Sequence, residues 1–206
     1  ARYADALVHA QDALRIAPNL ADAHNQAGNA HHGLGDLVAA QACYRTALEL
    51  NPADSGACHN LSVVLLKRER HADALAYCRQ ALAGGRPTVS MYVNLGDILR
   101  AQGNVDAAVP AYRDALALVR DDASDDAAEV LGRLLFAAAA SATVSPADYL
   151  NDARRYGRHL AARSTRYTHD VHARAADALH RPLRVGFVSG DLRQHVVRRF
   201  KPGDEA

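Results

Sequence analysis

The stretch "GLGDLVAAQACYRTALELNP", residues 33–52, decides the fold. It opens with a turn, runs as an Ala-rich segment with apolar residues at helical spacing, and stops at Pro52, which cannot continue a helix. Its residues recur along the chain. Ala40 has counterparts at Ala6, Ala74 and Ala108, and Ala47 at Ala13, Ala81 and Ala115, each 34 residues apart. Between these columns stand Ala10, Tyr44, Cys78 and Tyr112. Pro52 shares the period with Pro18, Arg86 and Arg120. A second set lies upstream in each unit: Ala27, Leu61 and Leu95, followed by Gly28, Ser62 and Gly96. So many small residues at one offset mark a repeat, and a repeat of this length is a pair of helices that must stack on its neighbours to bury a core.

The spacing and the order (Leu-Gly, then Ala, Tyr, Ala and Pro) resemble the tetratricopeptide repeat. Helix pairs are predicted over 21–51, 55–84 and 88–119, after the second half of a pair at 2–17. Gly28, Ser62 and Gly96 are expected to face the Ala columns, with Tyr44 and Tyr112 filling the gap between successive pairs. Asp36 and Asn104 are predicted N-caps. After "RDDASDD" comes an apolar helix capped by Ser124 or Asp125, then a helix with Ser145 as cap and Pro146 in its first turn. This last pair departs from the repeat residues, as terminal units commonly do.

Bulk properties narrow the function classes. The 206 residues are 49% hydrophobic and 23% charged, with a net charge of +1, so the whole chain carries no field that favours nucleic acid or membrane. The C-terminal quarter is locally basic: twelve arginines and lysines from Arg154 to Lys201 face Asp170, Asp177 and Asp191, with Asp152 just ahead. Scattered arginines with little aromatic surface make a poor platform for nucleic acid. Cys43, Cys58 and Cys78 lack metal-ligand spacing; they suggest a reducing compartment, hence the cytoplasm, and small packing residues. The eleven histidines show no shared ligand geometry, so no metal site is expected.

The resemblance to tetratricopeptide superhelices implies a concave groove that takes extended protein or peptide segments. One column suggests how. Gln26, Asn60 and Asn94 stand 34 residues apart just before the Leu column. A primary amide both donates and accepts, so a ladder of amides would grip a peptide backbone whatever its side chains. Solvated amides on a helix surface are the other reading of the same three residues.

The tail "LRVGFVSGDLRQHVV", residues 183–197, has a different character: its first seven residues have the composition of a buried strand. With the repeats before it, the tail resembles the start of the catalytic domain of the tetratricopeptide-repeat protein O-glycosyltransferases, the O-GlcNAc transferases and SPINDLY proteins. That resemblance implies an all-α, right-handed tetratricopeptide superhelix followed by a short β-strand remnant of a Rossmann-like lobe of the glycosyltransferase-B arrangement. It divides the chain into repeats at 1–122 (a half repeat plus three full ones), a transitional helical pair at 123–163, a linker at 164–182 and the start of a truncated lobe at 183–206. Asp191, Arg193 and His195 match the family's motif, and His195 matches a histidine at the active-site cleft, with a positioning or a general-base role.

The nucleotide-sugar site and the second lobe do not follow, so the chain is read as a fragment with no cofactor of its own and no catalysis alone. Its full-length parent would transfer a sugar from a nucleotide-sugar to Ser or Thr of proteins, with UDP-GlcNAc as donor or, in the close alternative, GDP-fucose. The competing reading is a stand-alone tetratricopeptide scaffold for protein–protein interaction. Whether it forms a homo-oligomer stays open.

Overall fold

The structure is a computed structural model and describes residues 2–121 and 124–163. The sequence expectations for residues 164–206, including the strand at 183–189 and Asp191, Arg193 and His195, lie outside the described residues. The described residues form nine helices and no strand: α1 (Arg2–Ile16), α2 (Ala21–Gly33), α3 (Leu37–Leu50), α4 (Ser55–Lys67), α5 (His71–Gly84), α6 (Val89–Ala101), α7 (Val105–Leu118), α8 (Asp125–Ala138) and α9 (Pro146–Arg163). Packing is closest within the pairs α2–α3, α4–α5 and α6–α7, then between each pair and the next, which is the nearest-neighbour pattern of a solenoid.

The helix ends follow from local chemistry. Asp36, Asn104 and Ser124 each accept a hydrogen bond from a backbone N–H three residues on, which assigns the α8 cap to Ser124. Ser145 accepts from the Asp148 N–H while its own hydroxyl donates to the Asp148 carboxylate, closing the entry to α9 from both sides. Asp54 and Thr88 cap α4 and α6 in the same way. The turn inside each of the pairs α2–α3, α4–α5 and α6–α7 has one residue in the left-handed region. Gly35 (φ 85°) and Gly103 (φ 78°) supply it, and Glu69 (φ 59°) holds the same repeat position between α4 and α5. A side chain there strains against the following carbonyl. Glu69→Gly should therefore stabilise the protein by about 1 kcal/mol, read as a higher urea midpoint at unchanged m-value. A lower midpoint would mean that the side chain itself holds the turn.

The core is built on small residues. Ala40, Ala47, Ala74, Ala81, Ala108 and Ala115 are fully buried, as are Tyr44 and Tyr112. What lies nearest to the glycines of the first helices is the tyrosine ring of their own pair, which stands between the two Ala columns. A Cβ on Gly28 would lie 2.5 Å from Cε1 of Tyr44, and one on Gly96 would lie 2.5 Å from Cε1 of Tyr112. In the middle pair the volume is redistributed: Ser62 takes the glycine position and Cys78 the tyrosine position, both fully buried. A small thiol leaves room for a hydroxymethyl group that a phenol ring would exclude. Cys58 and Cys78 are buried and all three cysteines are free thiols, consistent with their reading as packing residues.

The last helix departs from the pattern. Its buried face carries Asp152 and His159, with Arg113 of α7 at 3.7 Å from the Asp152 carboxylate. Tyr149, Leu150 and Leu160 remain on its exposed flank. The described fold is thus an all-α tetratricopeptide right-handed superhelix ending in a variant pair.

Candidate functional site

The first helices of successive units, α2, α4, α6 and α8, carry two polar arrays and one groove. The first array joins α2 to α4. Asn60 Nδ2 donates to Asn25 Oδ1 at 3.1 Å and to Asn29 Oδ1 at 2.9 Å, and the Tyr44 hydroxyl donates to that same Asn29 oxygen at 2.8 Å. Asn60 and Tyr44 together consume the acceptor capacity of Asn29 Oδ1. The second array joins α6 to α8. The Tyr112 hydroxyl donates to Asp97 Oδ1 at 2.8 Å, Arg133 donates to Asp97 Oδ2, and Arg133 also holds Glu129 at 2.8 Å. Asn29 and Asp97 sit two repeat lengths apart and perform one task, receiving a buried tyrosine hydroxyl.

The second array lines a groove of about 670 Å³ walled by α4, α6 and α8. Val63 and Leu66 of α4, Val89 and Val93 of α6 and Val130 of α8 give it an aliphatic floor. Its rim is polar, with Lys67 of α4, Thr88 and Ser90 at the start of α6, and Asp126 of α8. His59 of α4 also lines it; burial pushes its imidazole below the ordinary histidine range. At the Lys67 edge, Lys67 Nζ lies 2.7 Å from His32 Nε2. A lysine only donates, so that imidazole nitrogen is the acceptor and the ring is neutral. Burial, then the Lys67 charge, pushes the His32 pKa down.

The amide column does not form three equivalent rungs. Gln26 is exposed and accepts from Asn29 Nδ2 at 3.5 Å, Asn60 is half-buried in the first array, and Asn94 is buried. Asn94 lines the groove, but its Nδ2 donates to Ser62 Oγ at 2.6 Å. The amide nitrogens of Asn60 and Asn94 therefore already hold one helix to the next. Sequence reasoning missed Asn25, Asn29, Asp97 and Arg133. The signal for Asn29 and Asp97 was available: both follow the Gly column by one residue, as polar groups opposite a tyrosine. Among the described residues no group of three His, Cys, Asp or Glu side chains converges as a metal site would require. Likewise, none of the described helices is long and apolar enough to cross a membrane.

A superhelix of helix pairs with a walled groove on its first helices defines a protein-binding repeat. Comparison with known proteins gives the same class. Residues 21–54 and 56–121 match sequence profiles described as tetratricopeptide repeat. Over 113 residues, 55% of this chain, the sequence is 32% identical to the Hsp70-Hsp90 organizing protein of Triticum aestivum, and the match spans 18% of that protein's length. Among solved structures, YrrB, described as a tetratricopeptide-repeat protein with an unusual peptide-binding site, superposes with a TM-score of 0.64 at 19% identity, covering 73% of this chain and 74% of YrrB. An O-GlcNAc transferase of Thermobaculum terrenum superposes with a TM-score of 0.59 at 24% identity, covering 67% of this chain and 26% of that one. At those identities the structural likenesses carry the fold.

Proposed function

We propose that the described repeats act as a peptide-binding interaction module, holding an extended segment of a partner protein in the groove of α4, α6 and α8. The observation that carries this reading is the groove itself. It has an aliphatic floor, a polar rim and hydrogen-bonding side chains within a solenoid whose pairs are otherwise tightly filled. Such a surface gains affinity from apolar burial and backbone hydrogen bonds, the terms available to an extended ligand. The repeats would then serve as a scaffold or adaptor, the role that the name of the wheat relative expresses for that protein.

The test is selection of binding peptides from a random display library, followed by Val63→Arg in the groove floor. A guanidinium placed there sits where the ligand must bury apolar surface. Affinity should fall by about thirtyfold, on the order of 2 kcal/mol, while the circular dichroism spectrum is unchanged. Selected peptides that bind the variant as well as the original protein would place the binding surface elsewhere.

A second reading is favoured by the tail. Residues 183–197, with Asp191, Arg193 and His195, resemble the opening of the protein O-glycosyltransferase catalytic domain, and the Thermobaculum enzyme is among the structural neighbours. In that reading the repeats recruit acceptor proteins for an enzyme of the reducing cytoplasm. Tethering raises the acceptor's effective concentration near a nucleotide-sugar donor, UDP-GlcNAc or GDP-fucose. Incubating the complete protein with each donor and a protein acceptor separates the readings. Sugar on Ser or Thr supports the enzyme; no transfer from either donor leaves the adaptor.

A further inference from the structure

His59 is a buried-nitrogen side chain of the groove that the fold leaves uncommitted. Of its neighbours in the amide column, Asn60 uses both N–H groups on Asn25 and Asn29, and Asn94 uses one on Ser62. His59 lines the groove, and its Nδ1 is buried without a hydrogen-bond partner. A buried bare acceptor is better tolerated than a buried orphaned N–H. The favoured form is therefore the neutral tautomer with its proton on Nε2, and burial also holds the ring below the ordinary histidine pKa. That tautomer keeps one N–H donor on a side chain that walls the groove.

The surroundings say what such a donor would meet. Val63, Leu66, Val93 and Val130 make an aliphatic floor. The central carboxylates are matched by two cations: Arg133 holds both Asp97 and Glu129, and Arg100 lies 3.9 Å from the Asp97 carboxylate. Of the other two charged residues lining the groove, Lys67 closes α4 and Asp126 opens α8, and they are of opposite sign. A groove with a matched centre favours an uncharged segment, because a charged side chain would lose its hydration there without gaining a free counter-charge.

We infer that this groove takes an extended, uncharged peptide segment bearing aliphatic side chains, and that the His59 ring N–H fixes it by donating to a backbone carbonyl. The inference rests on the peptide-binding reading above and adds the chemistry of the ligand.

The test uses the full chain and fluorescein-labelled dodecapeptides built from Gly-Ser-Val, Gly-Ser-Lys or Gly-Ser-Glu blocks, read by fluorescence anisotropy. The valine peptide should bind about tenfold more tightly than either charged one. His59→Phe, which keeps the ring and removes both nitrogens, should weaken it about tenfold, and His59→Gln, which restores an N–H, should recover it to within about threefold. A measurement free of variants is the nitrogen-15 spectrum of the histidine rings in the unaltered protein. The His59 ring should carry its proton on Nε2, and that resonance should move when the valine peptide is added. Undiminished binding by a folded His59→Phe protein, a preference for a charged peptide, or an unmoved His59 ring would overturn the inference. If library-selected peptides compete for the groove yet ignore His59, the inference falls and the peptide-binding reading stands. If no peptide from the library binds, both fall.

Discussion

Gly96→Val should destabilise the protein by about 3 kcal/mol, one of the two largest single-residue effects expected here. Even the first added carbon would lie 2.5 Å from Cε1, 2.7 Å from Cζ and 2.8 Å from Cδ1 of the Tyr112 ring. The ring has nowhere to go: it is fully buried, and its hydroxyl is tied to Asp97, which Arg133 holds in turn. The stronger form of this prediction is a change of sign. In the original protein Gly96→Ala should cost about 2 kcal/mol, because the clash outweighs the helix propensity that alanine brings. In a Tyr112→Leu background the ring is absent, and the same change should stabilise by about 0.5 kcal/mol or more, the residue of alanine's roughly 1 kcal/mol advantage over glycine. Urea denaturation of the four proteins gives the cycle. Additive effects would show that Gly96 and Tyr112 do not share one space.

The second large effect comes from the ring itself. Tyr44→Ala should cost about 3–5 kcal/mol, as expected when a fully buried aromatic leaves a cavity that its neighbours cannot fill. Leu61, Val64 and Leu65 of α4 belong to the same core cluster as Tyr44, so the void would open between one pair and the next as well as within its own. Tyr44→Phe isolates the hydroxyl and should cost only about 1 kcal/mol, because Asn29 Oδ1 still accepts from Asn60. Tyr112→Phe should cost more than Tyr44→Phe. Its hydroxyl donates to a carboxylate, and hydrogen bonds to charged groups contribute about 1.5–3 kcal/mol. Equal costs for the two phenylalanine variants would remove the distinction drawn between the amide and carboxylate acceptors. An equal cost for Tyr44→Phe and Tyr44→Ala would refute the packing account.

These two predictions also show what the amino-acid order made legible. The period located the helix pairs and several caps, because both are set by residues within one unit: Asp36 and Asn104 bond to their own helices. It also exposed the columns at positions 28, 62 and 96 and at 44, 78 and 112, but not that these columns touch each other. That contact needs the angle between the two helices of a pair. With the angle known, the trade of Gly and Tyr for Ser and Cys in the middle pair follows from volume alone. The site was less legible. Of the amide column only Asn94 lines the groove, and Asn94 is turned to Ser62 as Asn60 is to Asn25 and Asn29, partners in the preceding unit. Spacing within one column does not say which way an amide points when a neighbouring unit offers an acceptor. His59 is one of eleven histidines, and nothing in its sequence surroundings marks a buried nitrogen without a partner.

The groove between α4, α6 and α8 as the binding surface is the claim on which the functional account depends. Its most direct test is a backbone-amide and methyl nuclear magnetic resonance titration of the protein with a library-selected peptide. The account predicts shifts confined to the lining of those helices, with Val63, Val93, Asn94 and Val130 moving together. Shifts gathered instead on α3, α5 and α7, with those four residues still, would contradict it.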